Sequence, residues 1–307
     1  MADRAKSRLV LGTAQLGMAY GINNTHGQPT KNEAFVILDA ALAGGINTFD
    51  TAYAYGDAED ILGEWIKIRS LEGKISVISK LKPHVLNEYP DGTKADDAVR
   101  EEIQKSLERL NLTQLDGYLL HSPYYIYSTH IVAALRQAKE EGLVKNIGVS
   151  IYDETEAIQA AELAVDYIQV PYNLFDQRLD KTHFFNIAKK NGVQVFARSP
   201  FLQGLLVMEP DRIPPHLAHA RPSLEKFDEL SRLHNVSRTA LSLLFSWAHS
   251  GADHIVFGVE TLDQLKEDLA IIAHPPAHVS AVLNELKEYF KNIPESIISP
   301  SLWSKLR

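Results

Sequence analysis

Short apolar runs alternate with longer amphipathic stretches along most of the chain. The short runs are Leu9–Gly12, Asn47–Asp50, Ile75–Lys80, Gly117–Leu120, Asn146–Ser150, Tyr167–Val170, Val193–Arg198 and His254–Gly258. Their length and near-continuous apolar character predict strands buried on both faces. The stretches between them carry helical spacing. Val99, Ile103, Leu107 and Leu110 fall on one face of a helix over Asp96–Leu110. Thr30 and Glu33 form a capping box ahead of Ala34-Phe-Val-Ile-Leu38, and Ser237 suits the N-cap of an apolar helix reaching about His249. Gly44, Gly142 and Gly192 each follow a helical run, where a C-terminal cap belongs. Strand and helix in strict alternation predict a parallel sheet covered by helices. Eight such units predict a closed (β/α)8 barrel, in one domain over 1–307 with a tail from about 293.

Two connections are longer than the rest, Leu81–Lys94 and Ser199–Pro222. Both follow a strand, which puts them at the C-terminal face of a barrel, where active sites are built. The second holds Pro200, Pro210, Pro214, Pro215 and Pro222 and reads as a lid or a surface loop.

Composition narrows the function classes. With 45% hydrophobic and 23% charged residues the chain reads as soluble and globular, and a net charge of −8 gives no general support for nucleic-acid binding, while leaving room for a local basic patch that binds phosphate groups. The absence of cysteine excludes disulfides, thiolate catalysis and cysteine metal sites. No apolar run approaches a membrane span, and Met1–Ser7 lacks the apolar segment of a secretory signal, so a cytoplasmic protein is expected. Oligomeric state leaves no mark on this sequence.

The chemistry lies at the strand ends. The second strand ends at Asp50, with Tyr55 five residues on; the third ends at Lys80; the fourth runs into His121. A barrel gathers these ends around one mouth. Hydride transfer to a carbonyl makes an alkoxide that needs a proton. Tyr55 can give one if an ammonium, Lys80, favours its phenolate. Asp50 would balance that ammonium, and His121 would orient the substrate oxygen or relay a proton. Each residue alone has a plainer reading: a turn cap, a packed aromatic, a snorkelling lysine, a structural histidine. The joint placement on three successive strand ends is what points to a site.

The same residues resemble a known family. Gly45-Ile-Asn-Thr-Phe-Asp50-Thr-Ala-Tyr-Ala-Tyr55-Gly-Asp-Ala-Glu59, Ser79-Lys80, Leu120-His121-Ser122-Pro123, Gly148-Val-Ser150 and Ile168-Gln-Val-Pro-Tyr-Asn173 resemble the signature of the aldo-keto reductases, in order and over nearly the whole chain. The resemblance implies catalytic roles for Asp50, Tyr55, Lys80 and His121. It implies NADP or NAD as cofactor and a small carbonyl or alcohol as substrate. It further implies cofactor contacts from the first turn, Gly12, Thr13, Ala14 and Gln15, and from Asp50. Ser150 and Gln169 would hold the nicotinamide carboxamide. Arg198 would stand where many members stack an aromatic ring, a place a planar guanidinium can fill. Ser199, Pro200, Phe201, Leu202, Gln203, Gly204 and Leu205 would line the pyrophosphate. Gly258, Val259, Glu260, Thr261, Gln264 and Asp268 would meet the adenosine.

Two departures bear on the cofactor. Ile151 follows Ser150 where many members have Asn, and the last turn reads Gly258-Val259-Glu260 where many have Gly-x-Arg. A carboxylate near a 2′-phosphate weakens the preference for NADP unless Lys266 or another cation compensates; the alternative is that Glu260 simply points to solvent. No Gly-x-Gly-x-x-Gly follows an early strand, so a Rossmann domain is not indicated. Two other readings stay open. One is a non-catalytic nucleotide-sensing subunit on the same barrel. The other is a metal-dependent barrel enzyme, which His26, His84, His121, His130 and His183 invite but whose ligand spacing they lack. For a substrate rim the sequence offers Tyr20, Tyr53, Tyr124, Tyr125 and Tyr127, and the tail over 293–307, with Trp303, is a further candidate contact.

Overall fold

The computed structural model describes residues 6–88 and 94–303. Its strands are β1 (Leu9–Gly12), β2 (Thr48–Asp50), β3 (Ser76–Leu81), β4 (Leu115–Leu120), β5 (Val144–Ser150), β6 (Tyr167–Pro171), β7 (Gln194–Arg198) and β8 (His254–Phe257). All pair in parallel in chain order, and β8 closes back on β1 through Leu9 to Ile255 and Leu11 to Phe257. The predicted (β/α)8 barrel is therefore present. Expected and observed strands differ by one or two residues at their ends. The largest differences are at β4 and β5, which begin two residues early, on Leu115-Asp116 and Val144-Lys145, where polar residues interrupt the apolar run.

The helices are α1 (Ala14–Gly17), α2 (Lys31–Ala43), α3 (Ala58–Arg69), α4 (Ala95–Leu110), α5 (Thr129–Glu140), α6 (Glu154–Glu162), α7 (Phe184–Lys190), α8 (Arg221–His234), α9 (Arg238–Ala248), α10 (Leu262–Ala273), α11 (Val279–Phe290), α12 (Glu295–Ile298) and α13 (Pro300–Trp303). Thr30 and Glu33 make the expected capping box on α2, and the Ser237 hydroxyl accepts from Ala240 N at 3.1 Å to cap α9. No described helix is long and apolar enough to cross a membrane.

The period-2 alternation of a strand sorts each side chain to one of two cores. Val10, Ile78, Leu119, Tyr167, Phe196 and Val256 point inward and fill the barrel, with the Tyr167 and Phe196 rings 4.9 Å apart. Their neighbours in sequence, such as Leu9, Leu11, Val77, Leu120, Ile168 and Phe257, join the outer layer against the helices. This inner plug sets the floor of the site. Two residues beyond it, on the same inward face, come Gly12, Lys80, His121, Gln169, Arg198 and Gly258.

The segment after β7, expected as a lid or a surface loop, packs against the barrel. It forms 3₁₀ turns within Leu202–Val207, broken by a kink at Gln203 and Gly204, and at Pro210–Arg212 and Pro215–Ala220, and buries Leu202, Leu205, Leu206, Met208, Ile213 and Leu217. It ends at Ala220, and Pro222 lies inside the first turn of α8, a position that needs no N–H. The other long connection, expected over 81–94, has Leu81 in β3 and a 3₁₀ turn at Val85–Glu88, and its residues 89–93 lie outside the described ones.

Candidate active site

The turn that carries Tyr55 is held from three sides. Asp57 N donates to Gly17 O at 3.1 Å, which docks the turn on α1. A Cβ on Gly17 would lie 2.0 Å from Tyr55 O, so only glycine lets the backbones approach this closely. Next to it Gly56 takes a left-handed φ of 56°. On the far side α3 is anchored by the buried Glu59, which accepts from Ser79 Oγ on β3 and from Arg109 Nε on α4 at 2.7 Å. Ser79 points outward to make this tie; its neighbour Lys80 points inward.

Lys80 has no exposed surface. Its Nζ donates to Asp50 Oδ2 at 2.7 Å and to Thr51 O at 2.9 Å, and lies 4.8 Å from the centre of the Tyr55 ring. The other Asp50 oxygen accepts from Gln169 Nε2. The His121 ring meets the Tyr55 ring edge to face, with centroids 5.7 Å apart. The four residues expected to act together thus stand together. Above them opens a cleft of about 590 Å³, in the range of small-molecule sites.

Electrostatics sharpens the roles. Burial, followed by the Asp50 carboxylate, raises the Tyr55 phenol, while Arg198 pulls the other way. Burial lowers the Lys80 ammonium, and Asp50 opposes that. The expected easing of Tyr55 by Lys80 is therefore outweighed: burial dominates, and Asp50 already balances the ammonium. Tyr55 keeps its proton, the form an acid needs. His121 is pushed down to about 3 by burial and then by Lys80 and Arg198, so at neutral pH it is an uncharged imidazole. That suits it to orient an oxygen by a hydrogen bond and removes the relay that passes through imidazolium.

Of the other expected residues, Gly12, Ala14, Gln15, Ser150, Gln169, Arg198, Ser199, Pro200, Phe201, Gln203, Gly204, Gly258, Val259, Glu260, Gln264 and Asp268 line the cleft. Thr13, Leu202, Leu205 and Thr261 do not. Thr13 Oγ1 is spent on Asp50 O at 3.1 Å, Leu202 and Leu205 turn into the core, and Thr261 caps α10. Ile151 is buried and points away, so the place of the usual Asn offers no polar group. The tyrosine rim is mostly absent: Tyr20 lines the cleft, whereas Tyr53 lies beneath Lys82 and Arg109, Tyr124 stacks on His84, Tyr125 is buried and Tyr127 is exposed outside it. The tail does reach the cleft, through Ile298–Ser301. Sequence reasoning missed Asn23, Tyr152, Arg178, Thr239 and Glu267, which no motif marks.

The lining cations are Arg178 and Arg198, and Arg198 is close enough to Tyr55 to act on its phenol. The lining carboxyl groups besides Asp50 are Glu260, after β8, and Glu267 and Asp268 on α10. Burial raises the carboxyl of Glu260 and, helped by Glu267, raises that of Asp268 well above its ordinary range. Lys266 does not compensate, because it is exposed and leans toward Asp263 at 3.8 Å. Among the described residues, no three His, Asp or Glu are gathered to hold a metal ion.

The chain belongs to the aldo/keto reductase family, whose model matches residues 8–286. It is 26% identical to the NADH-specific methylglyoxal reductase of Escherichia coli (strain K12), over 88% of this chain and 91% of that one. It is likewise 26% identical to the L-galactose dehydrogenase of Arabidopsis thaliana, over 87% and 84%. A solved aldo-keto reductase structure from Pseudomonas aeruginosa shares the fold, with a TM-score of 0.65, 22% identity and coverage of 88% of this chain and 90% of that chain.

Proposed function

We propose that this protein reduces the carbonyl of a small molecule, or oxidises the matching alcohol, with a nicotinamide dinucleotide, and that it prefers NADH to NADPH. The observation that carries the reading is Lys80, sealed between the Asp50 carboxylate and the Tyr55 ring at the floor of an open cleft. A buried ion pair is costly to maintain for structure alone.

The cleft fits the cofactor. Gln169 Oε1 is buried without a partner while its Nε2 is committed to Asp50, which leaves an acceptor for an amide N–H. Ser150 is its register neighbour on β5. Gln169 and Ser150 would hold the carboxamide, the turn from Ser199 to Gly204 the pyrophosphate, and the end lined by Glu260 and Asp268 the adenosine. Carboxylates there accept from ribose hydroxyls and repel a 2′-phosphate, by on the order of a few kcal/mol for close charges at an effective dielectric near 20. The NADH-specific relative supports the same preference.

The residues then divide the work. The reduced nicotinamide supplies a hydride to the carbonyl carbon. Tyr55 donates its proton to the carbonyl oxygen as charge develops there, and the Lys80 ammonium stabilises the phenolate left behind. His121 holds the oxygen in line by a hydrogen bond. Asp50 keeps Lys80 charged and in place. In the reverse direction Tyr55 takes the alcohol proton.

A panel of aldehydes and ketones with NADH and NADPH tests this, repeated with Tyr55→Phe. Reduction is expected with NADH in preference to NADPH, and Tyr55→Phe should lower it by roughly 10²-fold or more with cofactor affinity nearly intact. Tight cofactor binding without turnover across the panel would favour the nucleotide-sensing subunit.

A further inference from the structure

Arg198 is the cation in this cleft that nothing balances. Lys80 is paired with Asp50 at 2.7 Å and Arg178 with Asp176 at 2.9 Å. Arg198 forms no ion pair with a carboxylate among the described residues. Its hydrogen bonds run to neutral oxygens, from Nη2 to Ile151 O at 3.0 Å and from Nη1 to Ser199 Oγ at 3.4 Å, and its buried Nε has no partner. The Tyr152 ring lies 5.1 Å from the guanidinium carbon and backs one side of it. With Lys80 and Asp50 cancelling, and Tyr55 and His121 neutral, one positive charge is left over at the reacting end. Its influence reaches Tyr55, Lys80 and His121.

A half-buried guanidinium without an anion is unusual, because partly desolvated charges are kept in pairs. Its fork of donors matches a carboxylate. The other acidic groups of the lining, Glu260, Glu267 and Asp268, lie on the turn after β8 and on α10 and form no ion pair with Arg198 among the described residues, so they do not satisfy it. We propose that the carbonyl substrate of this site is itself an anion, a carboxyl-bearing aldehyde or ketone whose carboxylate is bound by Arg198 while its carbonyl meets Tyr55 and His121. The proposal rests on the carbonyl-reducing reading above. An edge of the guanidinium is enough for it, so a face turned to the nicotinamide is compatible. The other source of a matching anion is the cofactor's pyrophosphate.

4-Carboxybenzaldehyde and its methyl ester present similar carbonyls and differ by one charge. At saturating NADH the acid is expected to be favoured by roughly 10–100-fold in kcat/KM, mainly through KM, as for a charge-assisted hydrogen bond. Arg198→Gln should bring the ratio close to one, and Arg198→Lys should keep part of it. The ratio cancels any change in folding or cofactor affinity. A wild-type ratio near one, or an unchanged ratio in Arg198→Gln, overturns the proposal. If neither aldehyde is turned over although NADH binds, the carbonyl panel above decides the carbonyl-reductase reading, and the anion site is read separately by titrating the protein–NADH complex with benzoate and benzamide. Benzoate should bind at least about tenfold more tightly, and Arg198→Gln should remove the difference. Equal binding of the two overturns the anion site. So does a variant whose only defect is lost NADH affinity, which would assign Arg198 to the pyrophosphate.

Discussion

Lys80 places its ammonium 2.7 Å from the Asp50 carboxylate with side-chain exposures of 0% and 3%, so the pair meets almost no water. Among the described residues neither charge has another ionic partner. Each is supplemented by one neutral group, Thr51 O for Lys80 and Gln169 Nε2 for Asp50. Removing one member therefore strands the other in the floor of the barrel.

Lys80→Met is accordingly expected to destabilise the protein by about 3–5 kcal/mol, the range for breaking a buried pair. Combining it with Asp50→Asn, which keeps an acceptor for Gln169, should cost less than the sum of the two single changes. Urea denaturation of the four proteins measures this, and strict additivity would show that the two charges are not coupled.

The Tyr55 turn depends on a glycine outside it. A methyl group at Gly17 would meet Tyr55 O at 2.0 Å and Ala58 N at 2.4 Å, both backbone atoms that cannot swing aside. Gly17→Ala should cost about 1–3 kcal/mol or more by overpacking. It should also lower kcat more than it raises KM, because the turn that shifts carries Tyr55. Thermal unfolding and steady-state kinetics check both; wild-type values in each would mean the contact relaxes freely.

Asp268 sets stability against binding. It is 3% exposed, and burial and Glu267 raise its carboxyl well above the ordinary range. A raised acid is stabilising in its protonated form, so its contribution is intact below the unfolded value near 3.8 and is lost as pH rises through the folded one. Asp268→Asn should therefore stabilise the protein at pH 7.5, by about 1–3 kcal/mol as for a relieved buried polar group, and do little at pH 3.5. The same change should weaken NADH binding by replacing one of the two carboxylate acceptor oxygens at the adenosine end with an NH2 donor. Unfolding at both pH values and a fluorescence titration with NADH are the measurements; a stability gain that is the same at both values would rule out the ionisation.

How much of this was legible beforehand follows from what each feature depends on. The eight strands, their order and the Asp50–Tyr55 offset are local properties, and period-2 alternation within each strand already decides that Lys80 faces inward when Ser79 faces out. Strand ends were misjudged at Asp116 and Lys145 because ladder pairing, not side-chain polarity, decides where a strand begins. The segment after β7 reads from its length as a lid or a surface loop, and length alone does not show that its leucines are buried once it folds over the barrel.

The sequence by itself determined the barrel, the floor of the site and the identity of the four residues gathered there, since a parallel barrel leaves their strand ends only one mouth to share. Tertiary structure alone decided the charges. That Tyr55 keeps its proton, that His121 is neutral, that Lys266 leans toward Asp263 and that Arg198 has no counter-ion among the described residues all depend on burial and on distances that only the folded chain fixes. Spacing along a sequence carries neither quantity.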